Sequence, residues 1–182
     1  MDIQNHWLVG ARQVPSPNFN ERPDTMQPEL IVIHSISLPP GHFGGPYIEQ
    51  FFQNCLAAKA HPYFEEIHAM QVSSHLLIRR DGEVVQFVPF DKRAWHAGQS
   101  SYGERDNCND FSIGIELEGT DDSAFESFQY DRLKQVIETL VLHYPGIKRD
   151  ALAGHSDIAP GRKTDPGPYF DWEKLHKALG LS

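Results

Sequence analysis

Two strand-like runs surround Asp81 and Gly82 in HLLIRRDGEVVQFVPF, residues 75 to 90. An Asp-Gly pair between such runs predicts a hairpin, because the turn needs residues that tolerate positive φ. This fixes one antiparallel pair near the middle of the chain. ELIVIHS, residues 29 to 35, is a short apolar run rich in β-branched residues and reads as a buried strand. FSIGIELEG, 111 to 119, reads as another.

Helical spacing takes over between these runs. After Pro46, the set Tyr47, Phe51, Phe52, Cys55 and Leu56 predicts an amphipathic helix that ends before His61 and Pro62, with Cys55 in the core. In SFQYDRLKQVIETLVLHYPG the residues Phe128, Leu133, Val136, Ile137, Leu140 and Val141 mark the apolar side of a second helix, stopped by Pro145 and Gly146. DWEKLHKALG opens on a capping Asp171, sets Trp172, Leu175 and Leu179 on one side and closes on Gly180. The fold class expected is α/β of the α+β kind, a mixed central sheet flanked by α-helices. Residues 1–182 are expected to form a single domain, with a proline-rich extended arm over 1–28 and the core over about 29–182.

Composition narrows the function. Charged residues make up 23% and the formal net charge is −9, which argues against partners that present phosphates, whether nucleic acid or an anionic membrane. No run approaches 18 apolar residues, and the N-terminus lacks the basic start and apolar stretch of a signal peptide. With only Cys55 and Cys108, neither a disulfide framework nor a four-thiolate metal site is expected. A cytoplasmic protein is expected; Cys108 has no readable role.

Near the C-terminus AGHSDIAPGRKTDPGP, 153 to 168, gathers His155, Asp157, Arg162, Lys163 and Asp165 among prolines and glycines. An irregular segment with so many ionisable groups is more often a site than a connector. A hydrolytic zinc site takes three protein donors and keeps one position open. Strand alternation puts Leu30, Val32 and His34 on one face of ELIVIHS, so His34 projects where the strand gives way to loops. His155 and Asp165 are ten positions apart, and proline turns at Pro160 and Pro166 can fold them together. Spacing alone does not fix this set.

Four blocks in order, HSISLPPGHFGG, AWHAGQSSYG, NDFSIGIELEG and GH followed by IAPGRKTDPGP, resemble the AmpD-type N-acetylmuramoyl-L-alanine amidases over roughly residues 29 to 172. The resemblance implies the amidase fold shared with peptidoglycan recognition proteins and a Zn2+ ion held by His34, His155 and Asp165. It implies hydrolysis of the amide between N-acetylmuramic acid, preferably its 1,6-anhydro form, and L-alanine during cytoplasmic peptidoglycan recycling, with a link to control of β-lactamase induction. The partner implied is the anhydro-muropeptide substrate; no obligate protein partner is evident.

Alternation places Gly114, Glu116 and Glu118 on one face of FSIGIELEG and does not separate the two carboxylates. The resemblance selects Glu116 as the catalytic carboxylate and Lys163 as the second catalytic residue, with Arg162 left for substrate or structure. Ser35 stands where the family pattern has asparagine, and Trp95 offers a face for sugar or peptide. Gln71 and Asn107 replace arginines that grip stem-peptide carboxylates in relatives, and Arg105 is the candidate to compensate. His75 and His96 are expected to be structural or to stand behind the ligands. His42, His61, His68, His143 and His176 are expected at the surface or in packing. The competing functions are a non-catalytic muropeptide-binding module and a phage-type endolysin acting on intact wall.

Overall fold

A computed structural model describes residues 1–24 and 26–181. Its central sheet is built from β1 (Arg12–Gln13), β2 (Leu30–Ile36), β3 (Leu76–Ile78), β4 (Val84–Gln86), β5 (Ser112–Glu118) and β6 (Leu152–Gly154). In space their order is β6-β2-β5-β3-β4-β1. β5 runs parallel to both β2 and β3, β6 is parallel to β2, and the β3–β4 hairpin supplies the antiparallel step. The mixed sheet read from the sequence is the sheet observed, and its turn falls at Gly82, which has φ of +85°.

Alternation divides the sheet into two faces. Ile31, Ile33, Ile113, Ile115 and Leu117 point to one side, where the long helix Ser127–His143 and the C-terminal helix Trp172–Leu179 cover them with Leu133, Val136, Ile137, Leu140, Leu175 and Leu179. Asp171 caps the C-terminal helix by accepting from the Lys174 amide at 2.8 Å, and Gly180 ends it at φ of +70°. The opposite face is shared by two smaller clusters. Leu30 and Val32 meet Ala97, Phe111 and Ile158 in one, and Leu77 and Val85 meet Phe51, Phe52, Phe64 and Phe87 in the other. The functional cleft lies on this second face.

Three local expectations need correction. The helix that begins at Tyr47 stops at Phe52, because Asn54 adopts φ of +59° and exchanges side-chain hydrogen bonds with Asn18 at 2.8 and 2.9 Å. Cys55 is consequently exposed rather than in the core, although Leu56 remains buried. The chain then forms a second short helix, Pro62–Ile67, whose amide at Tyr63 donates to the His61 ring. Phe128 is 68% exposed, since it sits in the first turn of its helix beside the hairpin turn at Gly82, past the ends of β3 and β4. The N-terminal segment is extended, but it is woven in: β1 adds to the sheet beside β4, and Phe19–Glu21 pairs with Lys92–Ala94. Proline-rich chain is tolerated there because an edge strand leaves half of its amides without a ladder partner.

Candidate metal centre and cleft

Parallel pairing of β2 with β5 sets His34 directly beside Glu116. Both lie on the face away from the long helix, and both are buried, so the register alone brings an imidazole and a carboxylate to the same spot. β6 then delivers His155, the first residue of a one-turn helix over His155–Ile158. The following loop is folded back by the Ser156 amide, which donates to the Asp165 carbonyl at 2.9 Å. With the Arg162 and Lys163 amides donating to the Ala159 carbonyl at 3.1 and 3.0 Å, this contact turns two residues ten positions apart toward one point.

His34 Nδ1 lies 2.9 Å from His155 Nδ1 and 3.2 Å from Asp165 Oδ2, and the third edge, His155 Nδ1 to Asp165 Oδ2, is 3.1 Å. His155 Nε2 faces the Ala97 carbonyl at 3.2 Å. A carbonyl only accepts, so the proton of a neutral His155 ring belongs on Nε2 and the Nδ1 lone pair turns inward. Burial lowers the His34 pKa to about 4, which keeps that ring neutral as well. Donors 2.0–2.2 Å from a tetrahedral ion stand roughly 3.3 Å apart. Two imidazoles and a carboxylate at 2.9 to 3.2 Å fit such an ion. Among the described residues no other group of three His, Cys, Asp or Glu side chains has this convergence.

The centre opens into a cleft of about 490 Å³. Glu116 and Lys163 border it near the three donors, while Leu38, Phe52, Tyr63 and Met70 give its far end an apolar wall. Glu116 is buried with Oε2 lacking any hydrogen-bond partner. Burial first, and the neighbouring Asp165 second, push its carboxyl well above the usual carboxylate range, with Lys163 opposing them. Glu118 has a different environment on the same face: its Oε1 accepts from Arg79 at 3.1 Å and from the Gly44 amide at 2.7 Å. The structure therefore separates the two carboxylates that alternation leaves equivalent. Glu118→Ala removes one of three carboxylates around the Arg79 guanidinium, and is expected to cost about 3 kcal/mol of stability in denaturant unfolding, near the lower end for a broken buried pair because Glu49 and Glu83 still hold Arg79 at 2.6 and 3.4 Å. Metal retention should be unaffected.

The remaining sequence candidates fall in two groups. Ser35 and Trp95 border the cleft; Ser35 Oγ donates to Asp121 at 3.1 Å, and the Trp95 indole donates to Asn20 at 2.8 Å. Arg105 and Arg162 stand outside it. Arg105 pairs with Glu29 at 2.6 Å and lies over the Phe111 ring, and Arg162 is held by the carbonyls of Ala97 and Gln99 beside a separate hollow. Neither Gln71 nor Asn107 borders the cleft. Asp121, unremarked in the sequence, also accepts from Thr164 and so ties the Ser35 strand end to the loop that carries Asp165; its position in a polar turn, TDDS, gives no local signal of that role.

Residues 24–168 match the family model described as N-acetylmuramoyl-L-alanine amidase. The chain belongs to this amidase family. The 1,6-anhydro-N-acetylmuramyl-L-alanine amidase AmpD of Escherichia coli is 58% identical over 175 residues, covering 96% of this chain and 95% of that protein. A crystal structure of a selenomethionine AmpD derivative matches with a TM-score of 0.95 at 56% identity, covering 98% of this chain and 99% of the other. More distantly, the amidase AmiD from E. coli, solved with the substrate anhydro-N-acetylmuramic acid-L-Ala-D-gamma-Glu-L-Lys, is 27% identical with a TM-score of 0.62, covering 91% of this chain and 66% of AmiD. The expected amidase fold is thus the fold of this family member, and no helix among its described residues is long and apolar enough to cross a membrane.

Proposed function

We propose that this amidase hydrolyses the amide joining the lactyl group of 1,6-anhydro-N-acetylmuramic acid to L-alanine, using a zinc ion held by His34, His155 and Asp165. The observation that carries this reading is the convergence of three donor atoms at 2.9 to 3.2 Å next to a buried carboxyl with an unpartnered oxygen. The substrate class is supported by the similarity to AmpD over nearly the whole chain. The reading includes action in the cytoplasm on fragments released by wall turnover, and the likeness to AmpD supports it.

Zinc at this centre supplies positive charge that polarises the amide carbonyl and makes water more acidic. Glu116, buried beside the donors with an unpartnered oxygen, takes the proton from the attacking water and hands it to the departing alanine amine as the C–N bond breaks. The Lys163 ammonium, on the rim of the same cleft, offsets the negative charge that develops on the carbonyl oxygen. Trp95, fixed through Asn20, offers a flat face to sugar or stem peptide, and the apolar far wall accommodates the less polar part of the substrate. With Arg105 and Arg162 engaged elsewhere, peptide carboxylates are recognised by other groups.

Zinc content measured alongside product analysis tests the proposal, with anhydro-muropeptide as substrate and intact peptidoglycan as control. One zinc per chain and release of the stem peptide from the anhydro sugar is the expected result. Full turnover by zinc-free protein overturns the mechanism, and preference for intact wall favours an endolysin instead.

A further inference from the structure

Behind the three donors runs a buried hydrogen-bonded file that the hydrolytic reading does not use. His34 Nε2 lies 2.9 Å from His96 Nδ1, His96 Nε2 lies 3.1 Å from Ser112 Oγ, and Ser112 Oγ donates to the Cys108 carbonyl at 2.6 Å. Every side chain in it is buried. The file ends on an atom that can only accept, and this gives it a direction. Ser112 spends its one proton on Cys108, so it must accept from His96 Nε2. A neutral His96 then has a bare Nδ1, which must accept from His34 Nε2. The proton of His34 is thereby placed on Nε2, and its Nδ1 is left as a lone pair facing His155 and Asp165.

We propose that His96 and Ser112 are positioning residues whose one-way hydrogen bonding keeps His34 in the tautomer that can bind the ion. This rests on the zinc reading of the His34, His155 and Asp165 centre. Three independent features hold the file in place. The backbone amides of His96 and Ala97 both donate to Asn109 Oδ1, at 3.1 and 2.8 Å, which fixes the loop that carries His96. Gly114 leaves room for the ring: a Cβ there would stand 2.5 Å from His96 Cγ. The His34 and His96 ring planes are perpendicular, at 90°, and with centroids only 5.0 Å apart the 2.9 Å contact sets the two nitrogens close to the line between the rings. Reversing the direction would put a proton on His34 Nδ1, where the ion must sit, and would take from the Cys108 carbonyl the proton of Ser112.

The test uses the full chain labelled with 15N in histidine, with ring nitrogens assigned by NMR before and after zinc is added. In the wild type His34 is expected as the Nε2–H tautomer even before zinc. Ser112→Ala removes the acceptor of His96 Nε2, so a population of Nδ1–H His34 should emerge and zinc retention against a chelator should fall tenfold to a hundredfold, the range typical for groups that orient metal ligands. His96→Asn offers an amide oxygen near the place of Nδ1 and has no tautomers; in that background Ser112→Ala should cost no further zinc affinity. A wild type with Nδ1–H His34, or a Ser112→Ala chain with unchanged His34 signals and zinc affinity, overturns the inference; if His96→Asn does not fold, the Ser112→Ala signals decide. A wild type that holds no zinc overturns the underlying zinc reading instead, so the two failures are distinguishable.

Discussion

Glu116→Ala is expected to keep one zinc per chain while anhydro-muropeptide turnover falls by about 10²–10⁴, the usual worth of a positioned general acid–base group. The carboxyl touches none of the three donors through a hydrogen bond, so its removal leaves the centre's geometry alone. Truncation also relieves a buried acid with an unpartnered oxygen, so stability should hold or rise. A rate unaffected by this change, together with a rate collapse in Glu118→Ala, would falsify the assignment of roles on β5. Metal content and thermal midpoint measured on the same samples separate lost chemistry from lost fold.

His155→Ala should abolish zinc retention and turnover together. His34 and Asp165 remain, but two donors cannot close a site that needs three, and the alanine leaves a gap where the Nδ1 lone pair stood. The fold itself should survive, because the largest core cluster packs on the other face of the sheet. Ligand binding to the folded state alone raises its stability, so zinc should raise the thermal midpoint of the wild type and leave that of the variant unmoved. Wild-type turnover in a variant that carries no metal would end the account.

The parts of this picture legible in the sequence were those with a period. Alternation in ELIVIHS and FSIGIELEG placed His34 and Glu116 on defined faces, and the hairpin announced itself through Asp81 and Gly82. What decides between Glu116 and Glu118 is Arg79, which arrives from just beyond another strand, so no local pattern carries it. The convergence of His155 and Asp165 depends on the Ser156 amide of the one-turn helix reaching a carbonyl nine residues on, and resemblance to a family supplies what spacing does not. The apolar pattern fails at Cys55 and Phe128 because each falls where a helix ends or begins, and a positive φ at Asn54 or a position past the strand ends overrides it.

The pairing of His34 with Glu116 across β2 and β5 has a consequence for how the enzyme can vary. On the proposed reading, the ligand His34 and the proton acceptor Glu116 stand opposite each other on one rung of a backbone ladder, so their spacing would be inherited from main-chain geometry and be insensitive to repacking of side chains elsewhere. Inserting or deleting one residue in either strand would turn one of the two toward the long helix and abolish both roles at once. Loops that shape the cleft are free of that coupling, and new specificities are therefore most accessible there.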